Sequence, residues 1–412
     1  MTAFDVELVR KQFSMLKKQM HGAPLIYFDT AATTQKPRAV IDALTTFYSE
    51  RYATVHRAVY ELAACSTAEY DIVRQRVQHF INAEHYGEII FTKGTTEAIN
   101  LVASCFGKAF IAPGDEVLIS ETEHHSNIVP WQIMCQERGA HLKVIPCNEA
   151  SEIDLSALDS LITSKTKIVA IAHVANATGT VHPIKQIIEK AHAKGAKVLI
   201  DGAQSISHMK VDVQALDADF YVFSGHKAYG PTGIGVLYGK RELLDKLPPY
   251  QGGGDMVDEV RFEKTTYQKA PLKFEAGTPL IAEVIGLGAA LAFIESIGIE
   301  AIGSWEKQLL DYATKKLNEV PGLTFIGTAV NKGPIISFVI EGVHPLDLGT
   351  MLSLKGVAVR TGHMCAQPTL RKYNLNSMTR VSFGVYNTFH EIDRFMLALQ
   401  EVLLMLRPEL SY

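Results

Sequence analysis

The chain has 412 residues, 47% hydrophobic and 20% charged, with a formal net charge of −4. At roughly 100–200 residues per domain, that length suggests two or three domains with ample apolar material for a core. The mildly acidic balance argues against a general nucleic-acid binder, which would carry a basic footprint. With no run of about 18 uncharged apolar residues, a membrane span is not expected either.

The opening "MTAFDVELVRKQF" carries Asp5 and Glu7 and no apolar core of signal-peptide length, so a cytoplasmic chain is expected. A helix over 4–18 follows from the same stretch. From about Gly87 a βα rhythm sets in. "EIIFT" reads as a strand and "TTEAINLVASCF" as a helix; "EVLIS" (116–120) precedes the helical "NIVPWQIMCQERG". "LKVIP" (142–146), "KIVAIAH" (167–173) and "KVLID" (197–201) are further short apolar runs. Ile184, Ile187, Ile188 and Ala191 recur at helical spacing behind Pro183, a good first-turn residue. Phe220–Phe223 and Val236–Tyr238 are two more strands, separated by the glycine-punctuated 229–235 loop. Val284–Ile294, between Glu283 and Glu295, reads as a core helix. Strands alternating with helices predict a mainly parallel, helix-covered sheet. After about residue 295 helices at 300–319 and 391–406 flank strand candidates "IISFVI", "VAVR" (357–360) and "TRVSF" (379–383). The expected organisation is therefore a large α/β domain over 20–295 and a smaller α+β domain from 1–19 and 296–412.

Five cysteines without a C-x-x-C pair fit reduced thiols rather than a disulfide framework or a metal site. Cys65, Cys105, Cys135 and Cys147 are read as small buried hydrophobes. The N-x-T sequence at Asn176 matters as a glycosylation site only in a secreted protein and is discounted.

Ligands in such sheets gather at the carboxyl ends of strands, and several polar groups fall there. In "FTKGTTEAIN", Thr95 and Thr96 stand at a helix N-cap, a seat for phosphate, although such a motif alone is usually only a cap. Asp201 ends a strand, with Gln204 just beyond it. Lys227 ends another strand behind Ser224, Gly225 and His226. A lysine and an aspartate on adjacent strand ends suit pyridoxal phosphate: the lysine binds the cofactor covalently and the carboxylate keeps the pyridine nitrogen protonated. Ser224 and His226 are possible phosphate donors. His124, with His125 beside it, offers an imidazole that stacks on a ring and exchanges protons near neutral pH. Cys365, in "VRTGHMCAQP", lies in an exposed, mobile-looking loop with Arg360 and His363 nearby. Arg380 opens a strand, and its planar fork suits a carboxylate.

Together these stretches resemble the cysteine desulfurases of the class V aminotransferase group. "SGHKAYGPTGIGVLYG", "RTGHMCAQP" and "FEAGTP" are similar to the SUF-type, group II branch. The resemblance runs from "LIYFDTAATTQKP" to the last helix. It implies a fold type I, aspartate aminotransferase-like transferase with a mainly parallel seven-stranded sheet. It also implies conversion of L-cysteine to L-alanine, with the sulfur carried by Cys365 as a persulfide and passed to a SufE- or SufU-like acceptor protein for iron–sulfur cluster assembly. By resemblance Lys227 holds the cofactor, Asp201 pairs with its ring nitrogen and Gln204 contacts its ring oxygen. His124 stacks on the ring, while Thr95 or Thr96, Ser224 and His226 hold the phosphate. Thr278 reaches in from the second subunit of a homodimer, and "YQGGGD" (250–255) also completes the neighbouring site. Asn176 and Arg380, with Arg360, bind the substrate carboxylate. Met364 stands where the family often has a second histidine, and Tyr60 where many members have one. A selenocysteine lyase acting on L-selenocysteine, another class V aminotransferase and a kynureninase-like enzyme are the alternatives; a non-catalytic scaffold has no use for Lys227, Asp201, His124 and Arg380 together. No metal, nucleic acid or membrane partner is expected.

Overall fold

Seven of the apolar runs join into one sheet in the computed structural model, which describes residues 4–407. They are β1 (Ile89–Thr92), β2 (Glu116–Ser120), β3 (His141–Ile145), β4 (Thr166–Ala172), β5 (Lys197–Asp201), β6 (Phe220–Ser224) and β7 (Gly235–Gly239). Their spatial order is β1-β7-β6-β5-β4-β2-β3. All run parallel except β7, which is antiparallel to both β1 and β6. Helices cover both faces. One face packs on Ile281–Ile297 and Ile184–His192, the other on Thr95–Phe110 and Val129–Arg138. Burial from two sides explains why these strands read as unbroken apolar runs rather than alternating ones. Only the edge strand β3 keeps an exposed pattern.

The helix expected around Val284–Ile294 spans Ile281–Ile297 and is buried on nearly every side. Among the described residues no single helix is long and apolar enough to cross a membrane. A second, antiparallel sheet orders β8 (Leu323–Ile326), β9 (Ile335–Ile340), β10 (Arg360–Gly362) and β11 (Met378–Ser382) as β8-β9-β11-β10. Helices Ile299–Leu317 and Phe389–Leu406 share its core. Of the segments assigned to the smaller domain, residues 1–3 and 408–412 lie outside the described residues.

Four local expectations are corrected. The helix over 4–18 is a short helix, Val6–Arg10, followed by a 3₁₀ turn, Ser14–Lys17. Phe13 breaks it, adopting an extended backbone so that its ring enters a cluster with Tyr229, Phe293 and Tyr386. The strand expected over 357–360 divides: Val357–Ala358 pairs in parallel with Ile26–Tyr27, and β10 starts at Arg360 beside β11. Cys65 is exposed on helix Glu61–Phe80, whereas Cys105, Cys135 and Cys147 are buried. Finally, Gly94 caps helix Thr95–Phe110, so Thr95 and Thr96 are its first two helical residues.

Candidate active site

Strands β5 and β6 are parallel neighbours, so their carboxyl ends open on one side of the sheet. β5 stops at Asp201 and β6 at Ser224; the following 3₁₀ turn, Gly225–Lys227, carries Lys227 back over that edge. Both side chains line a single cavity of ≈ 480 Å³. Burial brings the Lys227 ammonium down to about 8; Asp201 opposes that shift, Arg380 adds to it, and Cys365 and Arg360 act more weakly in opposite senses. Asp201 is pushed above the usual carboxylate range by burial, against the 2.9 Å bond from the Ala203 amide and the pull of Lys227.

The head of helix Thr95–Phe110 forms one wall. The Thr95 amide donates to Ser224 Oγ at 2.8 Å, and the two hydroxyls lie 2.7 Å apart. Backbone crosses backbone here: a Cβ on Gly235 would stand 2.4 Å from the Gly94 Cα. Gly94 itself has φ +156°, which a side chain rarely permits. The Thr96 hydroxyl sits 2.8 Å from that of Ser126. His226 also lines the cavity, its Nδ1 being 3.2 Å from the Thr33 hydroxyl.

His124 follows β2. Its Nδ1 accepts the Ser126 amide at 3.0 Å, which leaves the ring proton on Nε2. Burial, reinforced by Lys227, His125 and Arg380, lowers it to about 4, so the imidazole is neutral at physiological pH. Behind it the Glu123 carboxylate accepts from Asn127 Nδ2 at 2.7 Å, from the Ala172 amide at 3.0 Å and from Ser120 Oγ. That residue ties the ends of β2 and β4 to the turn that presents His124.

The second sheet supplies the opposite wall. Arg380, on β11, donates from Nη1 to the Asn176 carbonyl at 3.0 Å and pairs through Nη2 with Asp29 at 3.3 Å. Arg360, half exposed on β10, reaches the other oxygen of Asp29 at 3.2 Å. Arg380 Nε and Asn176 Oδ1 are buried with no partner among the described residues, and both residues line the cavity. A buried charged fork with a spare donor is a seat for a small anion such as a carboxylate. Cys365 is exposed and lines the same cavity. Its loop is tied at two points: Asn176 Nδ2 donates to the Met364 carbonyl and the His125 amide to the Cys365 carbonyl, both at 2.7 Å.

The residues expected to hold cofactor, substrate or sulfur therefore line one cavity, except Thr278; His125, Tyr60 and the 250–255 stretch do not line it either. Thr278 borders a second, smaller cavity of ≈ 90 Å³ with Glu275 and Tyr250. Gln204 lines the main cavity while its amide donates to the Ala31 carbonyl at 2.7 Å. Sequence reasoning missed Asp29, Glu123 and Thr34. Thr34 Oγ1 donates to the His226 carbonyl at 3.0 Å and accepts the Tyr229 amide at 2.9 Å, bracketing Lys227. Asp29 had a usable signal, since it ends a short apolar run as Asp201 does.

Comparison with known proteins identifies the family. The aminotransferase class-V family model matches residues 26–395. A curated cysteine desulfurase of Synechococcus elongatus is 51% identical over 97% of this chain, which covers 64% of that relative. One from Serratia proteamaculans is 49% identical over 97% of this chain and 98% of its own length. The chain thus spans less than two thirds of the first of these relatives, 64%, and almost all of the second, 98%. Among solved structures, the cysteine desulfurase CsdA of Escherichia coli superposes with a TM-score of 0.92 at 40% identity, covering 98% of this chain and 100% of that one. The apo cysteine desulfurase of Thermococcus onnurineus follows with a TM-score of 0.89 at 37% identity, covering 95% and 98%.

Proposed function

Because the chain belongs to the class-V aminotransferase family, with the type I fold of pyridoxal-phosphate-dependent transferases, we propose that it is a cysteine desulfurase. The observation that carries this reading is the meeting, in one cavity, of a buried lysine–aspartate pair, an arginine with a spare donor and an exposed thiol. Transamination has no use for the thiol.

The residues present fit pyridoxal phosphate. Lys227 and Asp201 are spaced across adjacent strand ends, and the tight Gly94–Gly235 crossing, where a Cβ on Gly235 would strike the Gly94 backbone, brings the Thr95 hydroxyl to that of Ser224. Lys227 would hold the aldehyde carbon, Asp201 the ring nitrogen, Gln204 the ring oxygen, and Thr95, Thr96, Ser224 and His226 the phosphate. When bound, the cofactor supplies an electron sink for the α-carbon of an amino acid. Arg380, Arg360 and Asn176 orient the substrate carboxylate, and Asp29 holds the two guanidinium groups in place. Lys227, with its ammonium lowered to about 8, takes up a proton readily near neutral pH. His124, neutral, would lie against the ring and move a proton at Nε2.

Cys365 Sγ attacks the substrate sulfur as thiolate. An S–S bond forms as the substrate's C–S bond breaks, and a proton ends on the former Cβ. The balance is L-cysteine plus Cys365 thiol giving L-alanine plus Cys365 persulfide, with no outside oxidant. The persulfide is then handed to a SufE- or SufU-like acceptor for iron–sulfur cluster assembly. Thr278 and the 250–255 stretch complete the neighbouring subunit's site in a homodimer.

The decisive test is Cys365→Ala. It should retain the cofactor's visible absorbance and cysteine binding while forming almost no alanine. Mass spectrometry of the wild type should place the extra sulfur on Cys365. Near wild-type turnover by the variant, or a persulfide on another cysteine, overturns the mechanism. Borohydride should attach the cofactor at Lys227 and nowhere else.

A further inference from the structure

Met364 and Cys365 both adopt a left-handed backbone, with φ of +54° and +53°. Two consecutive non-glycine residues in that region are strained, and such a conformation persists only where its surroundings over-determine it. The restraints are on the page. Met364 is buried, its side chain packed in a small cluster with Ala177, Leu370 and Met378. Its carbonyl accepts from Asn176 Nδ2 at 2.7 Å. Within the loop, the Cys365 amide donates to His363 Nδ1 at 3.1 Å.

The Ala366 amide donates to the His363 carbonyl at 2.9 Å, and two further restraints come from one residue. The His125 amide donates to the Cys365 carbonyl at 2.7 Å, and its Nε2 accepts the Gln367 amide at 3.2 Å. His125 therefore spans the thiol-bearing residue, gripping the chain at position 365 and again two residues later. The Gln367 amide opens helix Gln367–Lys372, where N–H groups lack intrahelical partners and need an outside acceptor. Its ring also lies 5.6 Å from that of His363, centroid to centroid, at an interplanar angle of 32°. Burial, then the His363 ring, hold His125 below its usual pKa, so the ring is neutral and Nε2 is available as an acceptor.

We propose that His125, which the reaction itself does not use, is the positioning residue that clamps the Cys365 loop over the cavity through its side chain. The loop has two uses that conflict: Cys365 must face the substrate sulfur to receive it and must leave the cavity to hand it on. A clamp of two hydrogen bonds on a strained turn, one from the His125 main chain and one to its ring, favours the inward position without welding it shut. This inference rests on Cys365 being the sulfur acceptor, but its first readout does not.

The test compares His125→Leu and His125→Asn, which lack an acceptor at the Nε2 position, with His125→Gln, whose Oε1 replaces it. Iodoacetamide labelling of the holoenzyme is followed by peptide mass spectrometry. Cys65, exposed on helix Glu61–Phe80, serves as the internal reference. Losing one hydrogen bond should raise labelling of Cys365 relative to Cys65 by roughly threefold to tenfold in the Leu and Asn variants, and Gln should restore it. Alanine formation should show kcat falling by a similar factor in the Leu and Asn variants, with KM for cysteine unchanged. Should the Leu variant not fold, the Asn variant carries the comparison. Wild-type labelling in the Asn variant, or a Gln variant that behaves like it, overturns the clamp. Altered labelling in a protein that makes no alanine even as wild type would leave the clamp standing and refute the desulfurase reading.

Discussion

At the scale of single residues, the site is governed by groups that act on the candidate catalytic side chains from one layer out. Asp29 is the clearest. Its Oδ1 meets both Arg380 and Arg360 and its Oδ2 meets Arg360, leaving the pair of guanidinium groups with one net positive charge toward the cavity. Asp29→Asn should raise KM for cysteine by about tenfold or more, with a smaller effect on kcat, since hydrogen bonds to charged groups contribute about 1.5–3 kcal/mol. Steady-state kinetics check this, and an unchanged KM would show that the arginines position themselves. Lys227 yields a pH prediction. Only the neutral amine captures the cofactor aldehyde, and the ammonium is lowered from 10.5 to about 8. Capture of pyridoxal phosphate by apoenzyme, followed by absorbance, should therefore accelerate as pH rises through about 8 and level off above it. Asp201 is what opposes the lowering, so Asp201→Asn should move the midpoint to lower pH.

At the scale of elements, short segments are held by buried polar ties rather than by regular structure. The segment bearing Thr278 hangs on Glu275. Its carboxylate accepts from Arg74 twice, at 2.7 and 2.8 Å, and from the Phe91 amide at 2.7 Å. Arg74, on helix Glu61–Phe80, is buried and also lies 4.5 Å over the Phe91 ring. Arg74→Leu leaves a buried carboxylate without its counter-charge and should cost about 3–5 kcal/mol. Chemical denaturation measures it; a midpoint equal to wild type would mean that water replaces the guanidinium. The failed helix over 4–18 belongs to the same scale. Local propensity favoured a continuous helix, but an extended backbone at Phe13 buries its ring fully among Tyr229, Phe293 and Tyr386.

At the scale of the whole molecule, the cavity lies between two sheets. The parallel sheet offers Lys227, Asp201, His124 and the Thr95–Ser224 cradle; the strands and loops of the antiparallel sheet offer Arg380, Arg360 and Cys365. Thr278 borders a different cavity of the same chain, which fits a site shared across a homodimer. Mixing a Lys227→Ala chain with a Thr278→Val chain should then restore about half of wild-type activity per mixed dimer, because one of its two sites has both residues intact. Neither parent should reach that level. Mixed dimers no more active than the parents would place Thr278 outside the site.

The strands of the parallel sheet were legible in the sequence, because burial on both faces demands apolar runs whose ends are visible as the first polar residue. Asp201, Ser224 and Lys227 were legible for that reason: strand ends in such sheets converge on one edge wherever the helices go. What the tertiary structure alone decided are the contacts between segments far apart in sequence. Asp29 meets Arg360 and Arg380, His125 meets Gln367, and Arg74 meets Glu275, each across about 200 positions or more. No local periodicity encodes such pairs. They arise because a buried charge or an unpaired amide must find a partner wherever folding brings one within reach. The exposure of Cys65 was settled the same way, by which face of its helix met the core.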